Sequence, residues 1–194
     1  ELIIENITNA RFFKKIKNKS FDAAIHLVSL DQIESNLDES LVARINVIPT
    51  WKLLNELNKT GLKKFIYFST FQVYGTELKG AINEKRIPNP VSSYSLTHYL
   101  SEEICQYYNR CSPIDCIILR LSNSYGSPVF SNPKCWKLVI NDLCKSAFYK
   151  SKIDILSDGT PMRDFIHYID VCSAVEKILQ INNYHSNKVY NVGS

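Results

Sequence analysis

Short apolar runs alternate with longer amphipathic segments along most of the chain. The runs at 22–28 (DAAIHLV), 64–69 (KFIYFS) and 114–121 (IDCIILRL) are almost continuously apolar, as is typical of strands buried in a parallel sheet. Residues 40–58 and 92–110 instead repeat apolar side chains at helical spacing. This alternation of strand and helix predicts an α/β fold with a parallel sheet.

The remaining segments carry weaker patterns. Pro49 predicts a kink or break in the helix over 40–58, and the glycines and prolines of 75–90 predict a surface loop. Further helices are predicted at 10–17, 134–150 and 171–181, and short strands at 2–4, 153–156, 164–167 and 189–192. The pattern is less regular after residue 124, which predicts a smaller lobe there.

Composition and charge indicate a globular protein rather than a membrane-spanning or nucleic-acid-binding one. The chain has 194 residues, of which 45% are hydrophobic and 22% charged, and its net charge is +4. These values fit a globular protein with one core of ordinary size. The four lysines between 14 and 19 accompany phenylalanine and isoleucine, which indicates a solvated helix face. No run approaches the ~20 apolar residues of a membrane span. We therefore expect neither nucleic acid nor a membrane as a partner.

The six cysteines indicate reduced thiols. No two are spaced as Cys-x-x-Cys, and none has histidine at the spacing of a metal-binding finger. Most fall within predicted helices and strands, where a thiol fills the core. We therefore expect no metal site. A cytoplasmic location is expected, because that compartment keeps thiols reduced.

A tyrosine and a histidine four residues apart are the first candidates for chemistry. Tyr94 and His98 would share one helix face, 24 residues after Thr70 ends an apolar run. A phenol with a pKa near 10 is a poor base, and a neighbouring cation would favour the phenolate. Histidine is mostly neutral at pH 7, so His98 is either a weaker substitute for a cation or the mark of an inactive site. Glu102 and Glu103, one turn on, are expected to raise the pKa of His98 if they face it.

Motifs along the whole chain occur in the order found in a known family. They are ENITN (5–9), FDAAIHLVS (21–29), NVIPT (46–50), FIYFSTFQVYG (65–75), LRLSNSYG (119–126), DGTPMRDFIHYIDV (158–171) and YNVGS (190–194). Together they resemble the extended short-chain dehydrogenases/reductases of the NAD-dependent epimerase/dehydratase family, which act on nucleotide sugars and include UDP-galactose 4-epimerase.

The resemblance implies a Rossmann-type doubly wound parallel sheet, lacking its first βαβ unit in this chain, with a smaller C-terminal substrate lobe. Residues 1–124 would be a partial NAD(P)-binding Rossmann domain. Residues 125–194 would be a partial substrate-binding lobe interleaved with late Rossmann elements. No Gly-x-x-Gly-x-x-Gly occurs among the six glycines, although a dinucleotide pyrophosphate needs such a turn. Because both ends also fall inside apparent elements, we expect a fragment.

The resemblance also implies roles for individual residues. Thr70, Tyr94 and His98 would be catalytic, with Tyr94 as the general base. The nucleotide-sugar substrate would be held by Thr70 at the sugar and by Asn123 and Arg163 at the diphosphate, where a planar guanidinium pairs well with phosphate oxygens. NAD would be the cofactor, with NADP not excluded, and its contacts would be Asn6, Ile7, Val28, Ser29, Asn46, Ser69, Tyr94, His98 and Ser122.

The implied function is NAD(P)-dependent epimerisation of a nucleotide-activated sugar, through transient oxidation by Tyr94, Thr70 and the nicotinamide. The alternatives are a non-catalytic dinucleotide-binding protein and a one-way nucleotide-sugar reductase or dehydrogenase. His98 stands where the family carries lysine. Phe71 and Gln72 stand where the 4,6-dehydratases carry Asp-Glu, which argues against dehydration because no acid could protonate the leaving hydroxyl. A homodimer through the helix over 92–110 and its predecessor is a further expectation from the family.

Overall fold

The computed structural model describes residues 1–36, 38–76, 78–129, 133–155, 157–160, 162–181 and 188–194. The chain divides into two compact units, one formed by 1–120 and 181–191, the other by 121–180 and 192–194. The cofactor-binding and substrate-binding roles expected for 1–124 and 125–194 stay predictions.

Strands and helices alternate along the chain. In order they are α1 (Ala10–Ile16), β1 (Ala23–His26), α2 (Gln32–Ser35), α3 (Glu39–Val42), a π-helix (Ala43–Val47), α4 (Ile48–Lys59), β2 (Lys64–Thr70), a 3₁₀-helix (Phe71–Tyr74), α5 (Ser93–Cys111) and β3 (Asp115–Leu121). They continue with β4 (Asn123–Tyr125), a second 3₁₀-helix (Pro133–Lys137), α6 (Val139–Lys150), β5 (Phe165–His167), α7 (Tyr168–Gln180) and β6 (Val189–Val192).

A four-stranded sheet in the order β1-β2-β3-β6 organises the first unit. β1 and β2 run parallel, with Ala23 opposite Lys64 and His26 opposite Tyr67. β2 and β3 are buried over most of their length, as their apolar sequences predict. The sheet and the helices between its strands confirm the predicted α/β fold of Rossmann type.

The core of the first unit lies between this sheet and the helices α1, α4 and α5. Apolar side chains of all four meet there, and their burial supplies most of the stability of such a layer. The fully or nearly fully buried members include Ile16, Leu54, Leu57, Phe65, Ile104, Cys105, Cys116 and Ile118.

The helix predicted over 40–58 is interrupted next to its proline. Pro49 lies in the first turn of α4, where its missing N–H costs no helical hydrogen bond. Immediately before it the chain forms the π-helix, which contains the buried Asn46. A π-helical turn inside a helix often marks a functional position.

α5 changes character along its buried face. Ser92 caps the helix through reciprocal hydrogen bonds with Ser95. The buried positions recur three and four residues apart, so they lie on one side of the helix. In the first half they are polar (Ser95, Thr97, His98, Ser101 and Glu102), and in the second half they are Ile104, Cys105 and Tyr108.

The second unit contains a small parallel sheet of β4 and β5. Asn123 lies opposite Phe165 and Tyr125 opposite His167. α7 follows β5 directly, and its Val171 and Val175 are buried. Among the described residues of both units, no helix is long and apolar enough to cross a membrane.

Several local predictions differ from the structure. Residues 2–4 form no strand, and Leu2 and Ile4 are each 83% exposed, because no described strand pairs with this segment. Residues 153–155 are irregular, and position 156 lies outside the described residues. The helix predicted from 134 is a 3₁₀ turn before it becomes α6. The short α2 and β4 are missing from the prediction, since three or four residues carry no measurable period.

Candidate active site

Tyr94 lies in the first turn of α5, beside the end of β2. Its side chain is half-buried, and its phenol lies near enough to the Thr70 side chain for Thr70 to influence the pKa of the phenol. Burial raises the pKa of the phenol, the Thr70 side chain lowers it, and the Asp31 carboxylate raises it, so that the net pKa lies above its usual value. The structure therefore brings together the predicted general base and the predicted sugar contact.

His98 lies one turn further along α5, against the ring of Tyr94. The two ring centroids are 4.6 Å apart in an edge-to-face arrangement. Its Nδ1 is 3.0 Å from the hydroxyl of Tyr67 on β2. Its Nε2 is buried and has no hydrogen-bond partner within the described part of the chain. Leaving a buried polar atom unpaired costs about 1–3 kcal/mol, so Nε2 favours a ligand that brings a partner.

The imidazole of His98 is neutral at pH 7. Its pKa is lowered to about 4, mainly by burial and also by the neighbouring His26, while the carbonyl of Phe68 acts in the opposite direction. A neutral ring gives the Tyr94 phenolate no charge stabilisation. Of the two interpretations, His98 as a cationic substitute for lysine is therefore not supported at neutral pH.

The prediction that Glu102 and Glu103 raise the pKa of His98 is wrong. The Glu102 carboxylate is occupied by Arg120 and by the Ser69 hydroxyl, which donates to Oε1 at 2.5 Å. Glu103 is exposed. Neither carboxylate is among the groups that shift the pKa of the imidazole, which burial lowers. The hydroxyl of Ser69 is thus turned toward Glu102, and its predicted contact with a cofactor stays a prediction.

Asn46 joins the chain after β1 to α5. Its Oδ1 accepts a hydrogen bond from the backbone N–H of Leu30 at 2.8 Å, and its Nδ2 donates to Thr97 Oγ1 at 3.0 Å. Its carbonyl accepts from the hydroxyls of Thr50 and Ser101 at 2.8 and 3.0 Å. Asn46 therefore braces the segment that would face a cofactor, and a direct contact with the cofactor stays a prediction.

The other predicted cofactor residues of the first unit lie where a ligand could reach them. Val28 and Ser29 follow the carboxyl end of β1 and are exposed. Ligands of open α/β sheets bind outside the carboxyl ends of the strands. Asn6 is exposed and Ile7 half-buried, in a turn where Asn6 Oδ1 accepts hydrogen bonds from Thr8.

The second unit carries the three remaining predicted site residues. Asn123 Nδ2 donates to the carbonyl of Asp164 at 2.9 Å, which brings the backbone next to Arg163 close to Asn123. The Arg163 side chain is exposed. The backbone N–H of Ser122 donates to Val192 at 3.0 Å, while its Oγ is buried without a hydrogen-bond partner among the described residues.

Several polar interactions that support the site were not predicted from the sequence. Tyr67 holds His98 from within an apolar strand, and Glu102 and Arg120 form a buried ion pair. One signal was available, because Arg120 interrupts the apolar run IDCIILRL and a buried charge requires a partner. The identity of that partner depends on how α5 packs on the sheet, which spacing alone does not specify.

Comparison with known proteins decides the family. The sequence pattern of the NAD dependent epimerase/dehydratase family matches residues 1–193. The chain belongs to this family. The resemblance inferred from its motifs is therefore confirmed.

The relatives of this epimerase/dehydratase family member include proteins described as epimerases and proteins described as dehydratases. A dTDP-D-glucose 4,6-dehydratase of Dictyostelium discoideum is 29% identical, over 97% of this chain and 45% of that protein. A putative UDP-glucose 4-epimerase of Methanocaldococcus jannaschii is 28% identical, over 100% of this chain and 62% of that protein. The structure of UDP-glucuronic acid 4-epimerase from Bacillus cereus in complex with NAD has a TM-score of 0.83 and 28% identity, over 97% of this chain and 58% of that chain. The chain spans about half to three fifths of the length of these relatives.

In this epimerase/dehydratase family member, the site can move a proton. The Tyr94 phenol lies near the Thr70 hydroxyl at the end of β2, and the neutral imidazole of His98 packs against the phenol ring. Such a pair can accept and return the proton of a bound hydroxyl group. Because burial raises the pKa of Tyr94, its phenolate forms at a higher pH than that of a free phenol.

Proposed function

We propose that the protein catalyses NAD-dependent epimerisation of a nucleotide-activated sugar. The observation that carries this proposal is the placement of the Tyr94 phenol, packed against the His98 ring and near enough to Thr70 for that side chain to lower its pKa, in a chain of the NAD dependent epimerase/dehydratase family. A positioned phenol with a hydroxyl relay is suited to removing the proton of a sugar hydroxyl.

The residues fit a dinucleotide cofactor. Nε2 of His98 and Oγ of Ser122 are buried polar atoms without partners among the described residues, and each suits one polar group of a bound molecule. We take NAD as the cofactor, as in the Bacillus cereus relative, with NADP as the alternative. The proposed contacts are Asn6, Ile7, Val28, Ser29, Asn46, Ser69, Tyr94, His98 and Ser122.

The proposed mechanism divides the work between cofactor and protein. NAD, when bound, supplies the acceptor and the later donor of hydride. Tyr94 takes the proton from the sugar hydroxyl, with Thr70 relaying it, and returns it when the hydroxyl forms again. His98, neutral and held by Tyr67, orients a polar partner at Nε2 and contributes no charge.

The proposed substrate is a nucleotide sugar. The exposed guanidinium of Arg163, near Asn123, suits the oxygens of a diphosphate. The relatives from Methanocaldococcus and Bacillus are described as UDP-sugar 4-epimerases. Phe71 and Gln72 follow Thr70 directly, and neither side chain can protonate a leaving hydroxyl. We therefore favour epimerisation over the dehydration described for the Dictyostelium relative.

The test uses the full-length protein and its Tyr94→Phe variant. We expect the wild-type protein to interconvert UDP-sugars and to release NAD on denaturation. Tyr94→Phe should lower kcat by roughly 10²–10⁴-fold, because it removes the acid–base group. Its content of NAD should stay unchanged. Tyr99→Phe, on the same helix, is the matched control and should keep its activity.

Three results would contradict the proposal. If Tyr94→Phe keeps the wild-type rate, Tyr94 is not the general base. Bound NAD together with no turnover of any nucleotide sugar would favour a non-catalytic dinucleotide binder. Turnover that requires added cofactor in stoichiometric amounts would favour a one-way reductase or dehydrogenase.

We also propose that the protein is a homodimer that functions in the cytoplasm. Apolar side chains on α4 and α5 are unusually exposed, among them Trp51 at 51% and Tyr107 at 49%, whose rings are 6.5 Å apart. Leu96 and Leu100 continue this surface on α5, with exposures of 46% and 43%.

All six cysteines lie in the described part of the chain, and none forms a disulfide, which supports a reducing compartment.

A further inference from the structure

A buried acid lies on the same face of α5 as Tyr94 and His98. The Glu102 side chain is only 2% exposed. Arg120 on β3 donates Nε to both carboxylate oxygens, at 3.0 and 3.2 Å, and Nη2 to Oε2 at 2.6 Å. The hydroxyl of Ser69 donates to Oε1 at 2.5 Å. The carboxylate is thus fully engaged by groups from two strands of the sheet.

The same arginine also holds the other side of the Thr70 segment. Nη1 of Arg120 donates to the Tyr74 hydroxyl at 2.7 Å, and the guanidinium lies over the Tyr74 ring, 4.7 Å from its centroid. The Tyr74 hydroxyl in turn donates to Asn191 Oδ1 at 2.8 Å. Thr70 therefore lies between two residues, Ser69 and Tyr74, that are anchored to one ion pair.

Stability alone does not explain a pair of this kind. Removing two charges from water is costly, and an apolar pair of similar volume often gives equal or greater stability. The Glu102–Arg120 pair instead fixes geometry, because a bidentate guanidinium–carboxylate pair sets the relative position of the elements that carry the two residues. Those elements are α5, which carries Tyr94, and the strands beside it.

We propose that Glu102 and Arg120 are positioning residues that hold the segment from Ser69 to Tyr74 against α5 and so set the contact between Thr70 and Tyr94. Neither residue touches the reacting atoms in this proposal. The contact between Thr70 and Tyr94 can be tested without measuring catalysis. Only its expected effect on the reaction rate rests on the proposed function.

The test is a titration of residue 94 in the full-length protein. A ring-fluorinated tyrosine, incorporated at position 94 alone, reports its ionisation by fluorine NMR. Thr70→Val should move the titration to higher pH, because the Thr70 side chain lowers the pKa of Tyr94. Glu102→Gln and Ser69→Ala should move it in the same direction, because each releases Thr70. Asp115→Asn, which breaks the ion pair with Lys188 elsewhere on β3, is the control and should leave it unchanged.

The direction of the shift separates positioning from simple electrostatics. Losing the negative charge of Glu102, or leaving Arg120 unpaired, would by itself favour the phenolate and move the titration to lower pH. Ser69→Ala removes no charge and keeps the ion pair, so it provides the test if Glu102→Gln does not fold. The proposal is overturned if Ser69→Ala and any folded Glu102→Gln protein titrate at or below the wild-type pH, or if Thr70→Val causes no shift.

If the epimerase function holds, the same variants have a kinetic signature. Ser69→Ala and Glu102→Gln should lower kcat by roughly 10–100-fold with KM changed by less than about twofold, because a misplaced relay affects the chemical step. An inactive wild-type protein would contradict the proposed function and leave the titration result to decide the role of Glu102.

Discussion

His98 shows how burial decides the chemistry of a single residue. Its ring lies between Tyr94 and Tyr67, and burial lowers its pKa to about 4. The side chain that follows the general base by one turn is therefore an orienting group without charge.

Replacing His98 by lysine should make Tyr94 a better base at neutral pH. A cation beside the phenol favours the phenolate, so the alkaline rise of the rate should move to lower pH in His98→Lys. The pH dependence of kcat measures this. His98→Gln is the neutral control and should not move the profile downward. An unchanged profile in His98→Lys would mean that position 98 does not tune the base.

The two buried histidines should make the protein less stable in weak acid. Burial lowers the pKa of His26, as of His98, from 6.5 to about 4. Between these values the unfolded chain binds the proton and the folded chain does not, so stability falls as the pH drops from about 6.5 to about 4. Each histidine should contribute a slope of about 1.4 kcal/mol per pH unit.

Urea unfolding across this pH range measures that slope. His98→Asn and His26→Asn should each reduce it by about the contribution of one group. The control is His167→Asn, because that ring is only half-buried. Equal slopes in all four proteins would show that these histidines are accessible to protons in the folded state.

At the scale of elements, α5 connects the site to the sheet. Its first half turns polar side chains inward and its second half apolar ones, so that one helix carries both the chemistry and part of the core. The π-helix before α4 supports α5, because it places Asn46 in hydrogen-bonding distance of Thr97 on α5 and of Leu30 after β1.

Truncating Asn46 should therefore cost stability out of proportion to its size. Asn46→Ala removes a buried side chain and leaves the partly buried N–H of Leu30 without its acceptor, and we expect a loss of about 1–3 kcal/mol in the free energy of unfolding. Urea denaturation measures it. Asn55→Ala, at an exposed position of α4, is the matched control and should change stability by less than about 0.5 kcal/mol. Similar losses in both variants would exclude a bracing role for Asn46.

At the scale of the whole molecule, the exposed apolar surface of α4 and α5 predicts self-association. Light scattering should give the mass of a dimer for the full-length protein. Trp51→Glu and Tyr107→Glu should each halve it, since they place a charge in an apolar contact. Ile87→Glu, at a residue that is 83% exposed outside these helices, is the control and should stay dimeric. A monomeric wild-type protein would refute the prediction.

Periodicity predicted most of the elements, but not all of them. β2, β3 and α5 appear within one or two residues of the predicted positions, because an unbroken apolar run or a long helical period has few interpretations. The strand expected at 2–4 is absent, since a strand depends on a neighbour that its own residues cannot specify.

The amino-acid sequence by itself determined the order of helices and strands, the family and the Tyr94 candidate, because these depend on local periodicity and on motifs of adjacent residues. Tertiary structure alone decided that His98 is neutral and that Glu102 pairs with Arg120. Both results depend on contacts across the chain, such as the 31 residues that separate Tyr67 from His98. Ionisation and hydrogen-bond partners follow from burial and proximity in space, which spacing along the chain does not specify.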